Sequence, residues 1–214
     1  MSRFFAKTIM IAAAGFGAAL AAGCASTPPS SSAGVVIEAE PNSGAVVAGP
    51  NGAFNVPRFD KVPVGKAGFE AYVPRGFPAF TASQSEDGAL VETAEFGHDG
   101  ITFALIGVKF SEAMDFDVDN EEVLVGYLDH LKTAFDVKEA VGYGRGHRLE
   151  SAPDAKGVID YWETTEGEQI AVKGWITRHQ IAVYTIWTKS ELPPRGVITM
   201  FFDGARFPAP ERTQ

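Results

Sequence analysis

The chain has 214 residues and a formal charge of −9, from 18 Lys and Arg against 27 Asp and Glu, with 45% hydrophobic and 21% charged residues. That length and composition allow one globular domain with a sizeable core even if a terminal segment stays outside it. The acidic balance excludes nucleic acid as an expected partner, because phosphate backbones are bound by clusters of Lys and Arg. The single cysteine rules out an intramolecular disulfide, and an oxidising compartment stays open because a domain of this size needs no such crosslink.

The chain begins MSRFFAKTIMIAAAGFGAALAAGC. Arg3 and Lys7 precede an uncharged apolar stretch from Thr8 to Ala22 that ends in small residues at Cys24. This is the order of a secretory signal peptide. The stretch is about 15 residues long, shorter than the roughly 20 that a transmembrane helix needs. Ala21-Ala22-Gly23-Cys24 resembles the lipobox of bacterial lipoproteins, with one departure: the leucine usual three places before the cysteine stands one place earlier, as Leu20. The resemblance implies that residues 1–23 are removed as a signal peptide. Cys24 would then carry S-diacylglycerol and an N-acyl chain, which makes the membrane a partner through covalent lipid. Two or more acyl chains hold a protein to a bilayer stably, at ~0.8 kcal/mol per buried methylene. Removal would take two of the 18 basic residues and none of the 27 acidic ones, leaving a charge of −11. Ala25 stands where many Gram-negative inner-membrane lipoproteins have Asp, so the expected location is the outer membrane, facing the periplasm.

From Ala25 to Pro57 the only charges are Glu38 and Glu40, and Ser, Pro, Gly and Ala dominate. Such sequence cannot bury enough apolar area to offset the entropy of ordering it. Residues 24–57 are therefore read as a lipidated cysteine followed by a flexible tether. Val35-Val36-Ile37 and Ala45-Val46-Val47 leave open the alternative of a strand added to the domain edge.

Residues 58–210 form the predicted domain, with a tail at 211–214. FEAYV (69–73), ALVETAEF (89–96) and ITFALIGVKF (101–110) read as strands, the last two joined by a turn at 97–100. A helix is predicted next, with Asp119 as N-cap and Glu122 completing a capping box. Val123, Leu124, Tyr127, Leu128, Leu131 and Phe135 recur on one face of it, while Asp129, His130, Lys132 and Thr133 mark the polar face. A meander follows: RGHRLES, GVIDYWETT, IAVKGWIT and IAVYTIWTK, with turns expected at Pro153-Asp154-Ala155-Lys156, at Glu166-Gly167-Glu168 and at Arg178-His179-Gln180. A short second helix is predicted from Ser190 as cap through Val197, Met200 and Phe201. Hairpin order implies an antiparallel sheet. The expected fold is thus α+β: about six to seven antiparallel strands, a helix between the strand groups and a short C-terminal helix. Strands apolar on both faces call for cover on both sides.

This order of elements, with Phe69, Tyr72, Pro74 and Phe77 at its start and Phe202, Gly204, Ala205, Arg206 and Phe207 at its end, resembles the PsbP-like fold. That fold is shared by the extrinsic PsbP subunit of photosystem II, the Ran-binding Mog proteins and small envelope lipoproteins. Gly204 and Ala205 depart from the family's closing pattern. The resemblance implies the fold and a binding or assembly role, and it brings no catalytic residues.

Candidate chemistry is sparse. Asp115, Asp117 and Asp119 have the first spacings of an EF-hand loop, but Asn120 stands where Gly makes the turn and Gly126 where a closing Glu belongs. Acids ahead of a helix are favoured by its dipole in any case. Glycines alternate in GYGRGHR (142–148), yet the segment leads into a strand and not into the helix a phosphate loop requires. His98, His130, His147 and His179 lack tight ligand spacing, and most of them read as solvated, with His98 and His179 in turns and His130 on the polar helix face. Tyr161, Trp162, Trp175, Tyr184 and Trp187 make the meander aromatic, either as core or as a face for a ligand or partner. The chain is therefore expected to be a noncatalytic envelope lipoprotein that binds another envelope component, a protein, with no cofactor and no metal. A carrier of a small ligand or lipid on the aromatic face is the alternative, and a hydrolase with an unrecognised site a weaker one.

Overall fold

The structure, a computed structural model, describes residues 46–49, 52–85, 87–114 and 120–209. The signal segment, Cys24, the acidic Asp115, Asp117 and Asp119, and the tail at 211–214 lie outside them. The fold is α+β, built on an antiparallel sheet of eight strands.

Apolar alternation sets the hairpins. Strands β6 (Leu90–His98) and β7 (Ile101–Lys109) turn at Asp99 and Gly100. Strands β10 (Ala152–Thr164), β11 (Gln169–Ile176) and β12 (Gln180–Thr188) form the meander. Pairing of β7 with β12, Ile101 opposite Thr188 and Lys109 opposite Gln180, joins the two groups. The order across the sheet is β5-β6-β7-β12-β11-β10-β8, where β5 (Thr81–Gln84) and β8 (Val137–Ala140) are edges and β9 (Gly144–Leu149) also pairs with β10. The edge β5 escapes the sequence pattern because TASQ is exposed along its whole length and offers no apolar alternation.

Helix α1 (Asn120–Ala134) covers one face of the sheet. Its Leu124, Leu128 and Leu131 pack with Val158, Ile170, Val172 and Val183. The other face carries helix α2 (Arg195–Phe202) and a small sheet of β3 (Phe59–Pro63), β4 (Glu70–Pro74) and β13 (Ala205–Arg206). Phe69, Val73, Phe201 and Phe202 from this layer pack with Phe103, Leu105, Trp175, Tyr184 and Ile186 of the main sheet. Two cores therefore sandwich one sheet.

Two glycines permit this double cover. A Cβ at Gly174 would lie 2.6 Å from Leu124 Cδ1, so α1 approaches β11 only because that position has no side chain. On the opposite face a Cβ at Gly157 would lie 2.4 Å from Trp175 Cζ3, so the indole rests across bare backbone of β10.

Three details differ from the sequence reading. Pro153 to Lys156 lie inside β10, the turn falling at Glu150 and Ser151. The pairing of β10 with β9 shifts register between Ala152 and Lys156, and a proline without a ladder donor is tolerated at such an irregularity. Ser190 is not the cap of α2, which starts at Arg195 with Pro194 before it; the Ser190 hydroxyl lies 3.0 Å from that of Thr188. Each residue before a proline is held out of the helical region, so Leu192 and Pro193 delay the helix past both prolines. Finally, β1 (Val46–Gly49) and β2 (Gly52–Asn55) pair as a hairpin of their own and not as an edge of the main sheet. Phe54 and Val56, read as tether, pack on the α2-side core, and the Asn55 carbonyl lies 2.8 Å from His98 Nε2.

The substitution Gly174→Val is expected to destabilise the domain by about 1–3 kcal/mol through overpacking against Leu124. Gly126→Ala is expected to stabilise it by ~0.5–1 kcal/mol, because a Cβ on this exposed helical glycine meets nothing. Urea denaturation of both variants checks the pair.

Candidate functional site

Strand alternation divides the five aromatic residues. Trp162 opposes Ile170, which opposes Trp187, so these two tryptophans share the α1 face, where the Phe135 ring lies within 6.3 Å of both. Trp175 and Tyr184 belong to the opposite core and are fully buried. Tyr161 also points to the α2 side, at the sheet margin, and is 38% exposed. The five do not form one face. Period-two alternation sends neighbours to opposite sides, and the N–H groups of Trp162 and Trp175 are held internally. Trp162 Nε1 donates to Asp160 Oδ2 at 2.8 Å and Trp175 Nε1 to the Phe202 carbonyl at 2.6 Å.

Two buried charges, unnoticed in the sequence, lock the layers together. Asp160 accepts from the backbone N–H groups of Gly142 and Tyr161 at 2.9 and 2.8 Å, and pairs with Lys132 Nζ of α1 at 3.1 Å. The Lys132 ammonium also lies 3.9 Å above the Tyr143 ring, whose hydroxyl donates to Asp129. On the other face, buried Lys173 donates to Asp203 at 2.7 Å, at the end of α2, and lies 4.4 Å from the Trp175 ring centre. Their signal in the sequence was a charge at an inward position of an apolar strand. Every polar atom of Asp160 is engaged, which makes it a structural tie and not a reactive group.

The other sequence-singled residues scatter. His98 sits between Phe54 and Phe96, and His179 is in an exposed turn. His147, on β9, has its pKa lowered by burial and then by nearby Lys173. His130 is not solvated as expected: its Nε2 is buried without a partner. In GYGRGHR the Gly146 amide faces the Glu121 carboxylate at 3.2 Å, so that N–H already holds an anion of the protein itself. Among the described residues no cluster of three or more His, Cys, Asp or Glu is arranged to hold a metal ion, and no helix is long and apolar enough to cross a membrane.

What the surface does offer is a groove at the corner where β8 ends the sheet. Helix α2 lies over β12 and β4 and leaves this corner open. Val141, Tyr161 and Leu192 supply apolar lining, with Glu139, Glu163 and Gln169 around them, enclosing about 250 Å³. Val141 is 82% exposed. Small-molecule sites run to roughly 300–1,000 Å³, so this groove suits one or two side chains of a larger partner.

No protein-family model and no curated protein matches the chain. Seven chains of solved structure match. One is an uncharacterised protein from Mycobacterium smegmatis, at 11% identity and a TM-score of 0.29, the match covering 58% of this chain and 57% of that one. A likeness at that level carries no argument.

The Tyr127 and Tyr184 hydroxyls are buried without partners. An unsatisfied buried hydroxyl costs about 1–3 kcal/mol, so Tyr127→Phe and Tyr184→Phe are expected to leave stability unchanged or raise it by ~1 kcal/mol in urea melts. Burial raises both phenol pKa values above the ordinary 10.0. The neutral form is thus favoured in the folded state, and the associated stability is complete below pH 10 and lost as pH rises beyond it. Ultraviolet titration is expected to show these two phenols ionising only as the domain unfolds in alkali.

Proposed function

We propose that the chain is a lipid-anchored envelope protein, held at the outer membrane through Cys24, whose domain is a noncatalytic binding module for another envelope protein. The observation that carries this reading is the N-terminal order of basic residues, apolar stretch and small residues ending at the single cysteine. A tether from Cys24 to the hairpin at Val46 gives the domain a typical reach of about 25 Å at ~5–6 Å times the square root of residue number. That reach keeps the domain concentrated near partners at the membrane. The PsbP-like resemblance adds support, being a resemblance to binding and assembly factors. The carrier alternative relied on an aromatic face, and its residues are divided between two cores, which favours the protein-binding reading.

Replacing Cys24 by Ala is expected to abolish incorporation of labelled palmitate and to release the protein from the membrane fraction. Continued labelling of the variant would remove the anchor from this account.

A further inference from the structure

Resting on the reading of a tethered binding module, we propose that the corner groove is its docking surface and that the partner presents an extended segment alternating aliphatic with Lys or Arg side chains. Three observations converge on this corner. Strand β8 ends the main sheet, and no other described strand pairs with its outer edge. An exposed edge is a template on which an extended segment adds by backbone hydrogen bonds, while side-chain pockets choose the sequence.

The second observation is the apolar lining. Val141, 82% exposed, continues the chain from β8, and its N–H is bonded inward to the Tyr161 carbonyl at 3.0 Å. This fixes an aliphatic side chain in water beside the half-exposed Tyr161 ring. The groove's volume, about 250 Å³, matches aliphatic side chains of a docked strand and not a separate small ligand.

The third is charge. Glu139 of β8 lies directly opposite Glu163 of β10, and like charges opposed across strands destabilise a sheet. Lys138 lies 3.7 and 3.9 Å from these carboxylates and serves both. At the adjoining β10–β11 turn, Lys189 is likewise shared by Glu166 and Glu168, at 3.9 and 3.8 Å. Each lysine faces two carboxylates, so the corner keeps net negative charge that an incoming cation would relieve. An acidic or purely apolar segment would leave the Glu139–Glu163 repulsion in place.

The test uses the isotope-labelled protein as purified from cells, followed by NMR. The probes are a short blocked peptide alternating Val with Lys and Arg, and its counterpart with Glu in place of the cations. The cationic peptide is expected to shift the signals of Val141, Tyr161 and β8, and to bind more weakly as salt rises from roughly 0.05 to 0.5 M. The double variant E139Q/E163Q is expected to weaken binding roughly 3- to 10-fold. Val141→Ser, at a site too exposed to threaten folding, is expected to weaken it at constant salt slope. Equal binding of the acidic peptide, shifts confined to other surfaces, or the same response to detergent micelles alone would overturn the proposal. The anchor reading is judged separately by palmitate labelling, so the two fail on different measurements.

Discussion

Strands β11 and β12 bury almost every side chain on both of their faces, and the rest of the molecule is arranged to keep water from both. At about 25 cal/mol per Å² of apolar surface, leaving either face open would forfeit a large part of the driving force for folding. One helix suffices on the first side. The second side needs α2, the β3-β4-β13 sheet and the aromatic residues they bring, Phe69, Phe201, Phe202 and Phe207.

Polar ties fix where these covers sit. Lys132 reaches from α1 to Asp160 on β10, and Lys173 reaches from β11 to Asp203 at the end of α2. A buried pair such as Lys132–Asp160 adds little net stability relative to apolar packing, but leaving Asp160 without its cation costs about 3–5 kcal/mol, while the 41% exposure of Asp203 lets water screen the second pair. Such pairs therefore penalise wrong registers of helix on sheet more than they strengthen the right one. Cover on both faces also leaves the proposed docking surface at the margin of the sheet. With most of the aromatic meander enclosed, two exposed large apolar side chains, Val141 and Tyr161, stand together at the corner beside β8.

The long apolar strands and α1 were legible because their periodicity is strong. ITFALIGVKF, IAVKGWIT and IAVYTIWTK lie on β7, β11 and β12 to within a residue or two. The edge strands were not, since TASQ and VKEA owe their conformation to a neighbour's backbone and carry no pattern of their own. At the second helix the effect of Pro193 and Pro194 on the residues before them outweighed the Ser190 cap signal, and the helix starts only at Arg195. The aromatic residues were read as core or as a face, and a single sequence does not say on which side of a strand each neighbour's cover lies. The groove depends on Leu192 and Tyr161 meeting the stretch from Glu139 to Val141 from a separate loop and strand, an adjacency that no local pattern records.

The central claim is that the aromatic meander is core on two sides and not an open face. Acrylamide quenching of a variant retaining Trp175 alone, with Trp162→Phe and Trp187→Phe, tests it most directly, because Trp175 is 0% exposed between β10 and α2. The account predicts blue-shifted emission and almost no quenching until the protein unfolds. Red-shifted emission readily quenched in the folded protein would contradict it.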